Sequence, residues 1–219
     1  MSQTKLDAIN TCLRGIGIAP VATEDDPDLD AATASQVINQ VAMNIQSRGW
    51  WFNKESNWYI SPDETTGYIS APSSALSIVT SGASRNEGLT IRDNKIYDLY
   101  NHTYDLRDRA CSEPGSDILY IEFTFITELS FEDMPPVARQ AVTFAARRQF
   151  AQDLEVDKSR YEFQAKDERI AYDNLLRENA RNNKRNPFRD NSSIALFMNR
   201  AGGYNSNQYS YAVFPKRVT

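Results

Sequence analysis

The run Gln46-Ser47-Arg48-Gly49-Trp50-Trp51-Phe52-Asn53 constrains this chain more than any other stretch, because a helical pattern stops there and an aromatic strand pattern begins. Gly49 follows the last periodic apolar residue of a helix. Glycine is the usual terminator at such a point, since it enters the left-handed region without a Cβ penalty. Two tryptophans follow at once. Adjacent side chains of a strand point to opposite faces, so Trp50 and Trp51 predict a large ring on each face. Rings of this kind bury about 150–250 Å² each. The run therefore predicts a junction wedged between two packed layers.

Helices precede it. Leu6, Ile9, Leu13 and Ile16 recur at helical spacing and lay one apolar stripe on a first helix, which Gly15, Gly17 and Pro20 are expected to end. Asp26 and Pro27 form a good N-cap and first-turn pair for a second helix, with Val37, Val41 and Ile45 carrying it to Gly49. Asp26, Asp28 and Asp30 imitate the start of a calcium loop. The glycine and bidentate glutamate that such a loop needs fall at Ala31 and Val37, so acids loading a helix start explain them.

Strands follow between Trp50 and Leu129. Leu89–Arg92 and Lys95–Asp98 around Asp93-Asn94 read as a hairpin, because Asp and Asn tolerate the positive φ of a tight turn. Ile118 to Ile126 is the clearest strand, with Leu119, Ile121, Phe123 and Phe125 on one face and Tyr120, Glu122 and Thr124 on the other. Weaker strand patterns lie at Trp58-Tyr59-Ile60 and Leu76-Ser77-Ile78-Val79.

Helices then return. Glu132-Asp133-Met134-Pro135-Pro136 marks the start of a third helix, carried by Val137, Ala141, Phe144 and Ala145 and reaching Leu154. A fourth runs from Lys158 to Asn183, with Tyr161, Ala165, Tyr172, Leu175 and Leu176 inward. The fold class expected is α+β: a bundle of about four helices with an inserted antiparallel β region and an extended C-terminal tail. The bundle takes residues 1–49 and 131–184, the insertion 50–130, and the tail 185–219.

Composition narrows the function. The chain has 219 residues and a net charge of −5, which argues against an open nucleic-acid-binding face. From Arg185 onward five basic residues stand against Asp190 alone, a balance of +4, so residues 1–184 carry −9. A basic tail on an acidic body suits an acidic partner. The tail also carries Phe197, Tyr204, Tyr209, Tyr211 and Phe214 among Arg185, Arg189, Arg200, Lys216 and Arg217. Stacking on single strands and ordering on a protein partner are both open to it; the acidic body favours the protein. Two cysteines, Cys12 and Cys111, suggest reduced thiols, and the charged start of the chain suggests no signal peptide. No apolar stretch approaches the roughly 20 residues that cross a bilayer.

Catalytic patterns are absent. Gly15-Ile16-Gly17 ends a helix instead of opening one, and Pro20 stands where a dinucleotide fingerprint needs its third glycine. His102 is the only histidine, which leaves a Cys111–His102 pair as the sole nucleophilic option. Glu122, Glu128 and Glu132 are the candidates for a two-carboxylate hydrolase acting on peptidoglycan, an alternative that depends on spatial separation. Surface charge explains them more simply. No enzyme activity, metal or cofactor is expected.

Ile16-Gly17-Ile18-Ala19-Pro20-Val21, the Ala31–Ile45 helix, and Gln46-Ser47-Arg48-Gly49-Trp50 with Phe52-Asn53 resemble the tail tubular protein A family, the adaptor-ring subunits of short-tailed podovirus phages. A further likeness lies at Asp133-Met134-Pro135 and Ala146-Arg147-Arg148-Gln149-Phe150. The resemblance covers about the first 55 residues and, in outline, the region 130–180. It implies a dodecameric ring in the virion tail, assembled from subunits made in the host cytoplasm. The ring would stand between the portal protein and the tail nozzle (tail tubular protein B), with tail fibres attached and DNA passing through unbound during ejection. It makes Arg48, Gly49, Trp50 and Phe52 the structural junction, while the composition of the tail makes its aromatic and basic residues the candidate docking segment. Trp50 is then the core anchor, while Trp51, this chain's own variation, is expected to face a neighbour.

Overall fold

The computed structural model describes residues 3–79, 88–112, 119–153 and 158–183. Contacts divide the chain into Met1–Asn179 and Ala180–Thr219, and the architecture that follows is that of the first unit. It is α+β, with four α-helices and antiparallel sheets.

Helix α1 spans Lys5–Ile16. Thr4 caps it reciprocally with Asp7, each side chain accepting from the other's backbone N–H at 3.2 and 3.0 Å. Gly17, at φ 88°, closes its C-terminus. Gly15 does not end the helix; it lies buried inside it, where an added Cβ would meet the Arg147 side chain at 2.9 Å. Helix α2 spans Leu29–Gln46 and is capped by Asp28, whose Oδ1 accepts from Asp30 and Ala31 N–H. The Asp26 and Pro27 assignment is thereby corrected: Asp26 accepts from Asp28 N–H and orients the cap. The helix also stops a turn short of Gly49.

Helix α3 spans Pro136–Asp153, so its start is as the prolines indicated; Leu154 lies outside the described residues. Its buried stripe is Ala138, Ala141, Val142, Ala146 and Phe150, while Val137, Phe144 and Ala145 sit at the margin. Helix α4 spans Lys158–Asn182. Gln164, Ala171 and Leu175 are its buried residues, with Tyr172 packed beside them. Leu176 is exposed, contrary to expectation, because one residue beyond Leu175 turns about 100° around the helix. These helices share one apolar core with Trp50, Phe131 and Met134.

The strands are β1 (Lys54–Ile60), β2 (Ala75–Val79), β3 (Leu89–Arg92), β4 (Lys95–Asp98), β5 (Cys111–Ser112) and β6 (Leu119–Thr127). The long strand β6 is central: β1 and β2 flank it and β5 pairs with its start, all antiparallel. Strands β3 and β4 form the expected hairpin, with Asp93 and Asn94 at φ 49° and 58°. Ile69, Leu89, Ile96, Leu106, Ile121, Phe123 and Phe125 build a second apolar core. Leu119 does not join it and stays exposed. The other face of β6 is not simply polar either, since Thr124 and Ile126 on it are buried.

Trp50, Trp51 and Phe52 are not on a strand. They occupy a turn before β1, because Gly49 at φ 72° reverses the chain before any pairing begins. The two rings therefore do not face opposite sides of a sheet.

Candidate functional site

Two buried carboxamides organise the junction. Gln46 ends α2 and is fully buried. Its Nε2 donates to Leu129 C=O at 3.1 Å and its Oε1 accepts from Leu129 N–H at 2.8 Å. A side chain thus supplies the hydrogen bonds a neighbouring strand would have made, two residues past the end of β6. Asn53, also fully buried, accepts from Trp50 N–H at 2.8 Å. Its Nδ2 donates to Gln46 C=O at 2.9 Å and to Thr127 C=O at 3.0 Å. Helix end, turn and strand end are tied through these two residues. Buried polar groups are costly unless paired, so such a network favours one geometry.

The rings finish the joint. Trp50 is 3% exposed in the bundle core, its Nε1 donating to Ile45 C=O at 2.6 Å. Its ring meets Tyr172 of α4 edge to face at 6.0 Å. Arg48 lies over the Tyr172 ring and donates to its hydroxyl. Trp51 N–H donates to Asn179 Oδ1 at 3.2 Å, and the half-buried Trp51 and Phe52 rings pack edge to face at 5.0 Å against the bundle. Glycine is favoured at 49 on two counts: its positive φ, and an added Cβ that would lie 2.5 Å from Ile126 Cδ1. Arg48, Gly49, Trp50 and Phe52 are thus brought together. Gln46 and Asn53, which do most of the bonding, were visible in the sequence only as members of the run.

Helices α3 and α4 are pinned separately. Arg148 donates to Glu168 and to Tyr161 Oη, and the Glu168 bond raises the guanidinium pKa further above its ordinary value. A pocket of about 310 Å³ lies at the C-terminal end of α1, lined by Arg14, Gly15, Gly17, Arg147, Phe163 and Gln164. Gln164 donates to Gly15 C=O at 3.2 Å, while its Oε1 is buried with no partner among the described residues. Cys12 is buried nearby, and burial pushes its thiol up to about 12, with the Arg147 charge pulling weakly the other way.

The polar groups of the junction are carboxamides, an indole, a guanidinium and a phenol, each bonded to a neighbouring element. That arrangement holds bodies together. Among the described residues no group of acids, cysteines and histidines could hold a metal ion, and no helix is long and apolar enough to cross a membrane. Glu132 accepts from Lys5 N–H, Glu122 and Glu128 are exposed along and just beyond β6, and the pocket has no carboxylate in its lining. Nothing here favours the two-carboxylate hydrolase. His102 sits in a turn at φ 52°, and the Cys111 side chain lies outside the described residues. So do all the tail candidates: Arg185, Arg189, Phe197, Arg200, Tyr204, Tyr209, Tyr211, Phe214, Lys216 and Arg217.

The sequence pattern of the family described as "Tube: Tail tubular protein" matches residues 6–185. No curated protein matches the chain.

Proposed function

Because the chain belongs to the tail tubular protein family, and so is a structural component of the phage tail, we propose that it is the adaptor-ring subunit that joins the portal to the tail nozzle. The family match over residues 6–185 carries this reading. In it, residues 1–49 and 131–184 are the ring body, 50–130 an inserted β domain, and 185–219 a segment that docks on a neighbouring ring. The ring is a dodecamer that also anchors tail fibres and passes DNA during ejection.

Two features support the reading. Separate apolar cores serve the helices and the sheet, and the Gln46–Asn53 network fixes one against the other. A ring subunit under load from neighbours above and below needs such a joint. The acidic charge of the body also suits a DNA conduit, since like charge keeps the phosphate backbone from sticking.

Full-length protein mixed with the portal protein of the same phage and viewed by electron microscopy is expected to form rings seated on the portal. A chain that stays monomeric in that mixture overturns the reading. Deleting Asn186–Thr219 is expected to leave the fold intact and weaken docking; undiminished docking by the truncated chain would remove the role given to the tail.

A further inference from the structure

The pocket at the end of α1 combines three features in its lining. Arg14 is exposed, and among the described residues its hydrogen bonds are to its own helix (Asn10 C=O and Thr11 Oγ1). Gln164 is 2% exposed, yet its Oε1 has no partner among the described residues. Phe163 stands at the rim 71% exposed. Arg147 adds a second cation to the lining, half-buried and paired only loosely with Asp167 at 3.6 Å. The pocket thus offers positive charge, one orphan acceptor and an apolar edge. Its complement is a segment with carboxylates, a backbone N–H to give and an apolar side chain.

The chain itself carries such a segment. Glu24, Asp25, Asp26, Asp28 and Asp30 fall within seven residues before and at the start of α2. Glu24 and Asp25 are exposed, and Leu29 among them is 80% exposed. Asp26 and Asp28 are held by their own hydrogen bonds to backbone N–H groups, so the loop has a defined shape before it meets anything. The tail has the wrong sign for this pocket, with five basic residues to one acid from Arg185 onward.

We propose that the Glu24–Asp30 loop of one copy docks into the Arg14–Arg147–Gln164 pocket of the next, with Leu29 against Phe163. Two different patches meet, so the contact is heterologous: a joined pair keeps one free loop and one free pocket between its two copies, and the array grows until it closes. The proposal rests on the ring reading and gives it a specific lateral contact.

The test uses full-length protein with portal, sized by mass photometry and electron microscopy. A loop variant carries Glu24→Lys and Asp25→Lys; a pocket variant carries Arg14→Glu and Phe163→Ser. All four positions are exposed, and unchanged melting curves verify the fold. Each variant alone is expected to need about tenfold more protein to assemble. An equimolar mixture is expected to assemble at lower protein concentration than either variant alone, since the intact loop meets the intact pocket and the reversed charges of the other two halves attract. Wild-type rings with both variants assembling equally well would overturn the interface and leave the ring reading standing. Salt-sensitive DNA binding by the wild-type protein that the pocket variant loses, with assembly untouched, would overturn it in favour of a phosphate-backbone site. Wild-type protein that stays monomeric beside the portal would remove both readings.

Discussion

The side-chain amide of Gln46 pairs with the backbone of Leu129 through both of its ends, donating at 3.1 Å and accepting at 2.8 Å. The two residues are 83 positions apart, and the whole β region lies between them. The pair closes that region where it leaves and re-enters the bundle. Asn53 adds a second tie, from Gln46 C=O to Thr127 C=O. Together they make the joint a bonded structure instead of two flexible linkers.

Asn53→Ala should lower stability by about 3 kcal/mol in urea denaturation. Three hydrogen bonds go, and a buried donor or acceptor left unpaired costs about 1–3 kcal/mol. Asn53→Asp should be as harmful, because a carboxylate cannot donate to the Gln46 and Thr127 carbonyls. A loss below about 1 kcal/mol in both would mean the joint is held by apolar packing alone.

Gly49→Ala should cost about 2–3 kcal/mol, from placing a Cβ at positive φ and from displacing Ile126 Cδ1. The two causes separate in a double-mutant cycle. In an Ile126→Val background the methyl that would clash is absent, so the same glycine change should cost about 1 kcal/mol less. Equal costs in both backgrounds would leave backbone strain as the whole effect.

Elements marked by local chemistry were legible in the sequence. Asp93-Asn94 demanded a tight hairpin turn, Pro136 a helix start, and the alternation of Ile121, Phe123 and Phe125 a strand with one apolar face. What misled was context. Trp50 and Trp51 read as a strand by β-propensity, but the Gly49 reversal and the Asn53 bonds hold them in a turn. Asp28 took the cap from Asp26 because both are good caps, and propensity cannot choose between near neighbours. Gln46 and Gln164 look like ordinary polar helix residues; only their burial shows what they do. The pocket left no signal beyond Gly15, whose missing Cβ makes room for Arg147.

Cys12 should resist thiol reagents at pH 8. Burial pushes its pKa up to about 12, so the thiolate that reacts is scarce in the folded protein, and the sulfur is also out of reach. In a Cys111→Ser background, labelling by a chromogenic disulfide should track global unfolding and speed up in the Asn53→Ala variant. Fast labelling at full native circular dichroism would show that α1 opens locally.

Asp98 gives the β region a dependence on acid. It is fully buried at the end of β4, where desolvation opposes its charge. Arg109 at 2.8 and 3.0 Å and the N–H groups of Tyr100 and Asn101 outweigh that, holding the carboxyl below its ordinary 3.8. A folded pKa below the unfolded one means the stabilisation is fully present above the unfolded value and lost as pH falls through the folded one. Asp98→Asn should therefore cost about 3 kcal/mol at pH 7, where it removes the carboxylate that Arg109 donates to in a partly buried site. The gap between variant and parent should narrow as pH drops below the ordinary carboxylate range. A gap that stays constant from pH 7 to pH 2 would show that hydrogen-bond geometry, not charge, is what Asp98 supplies.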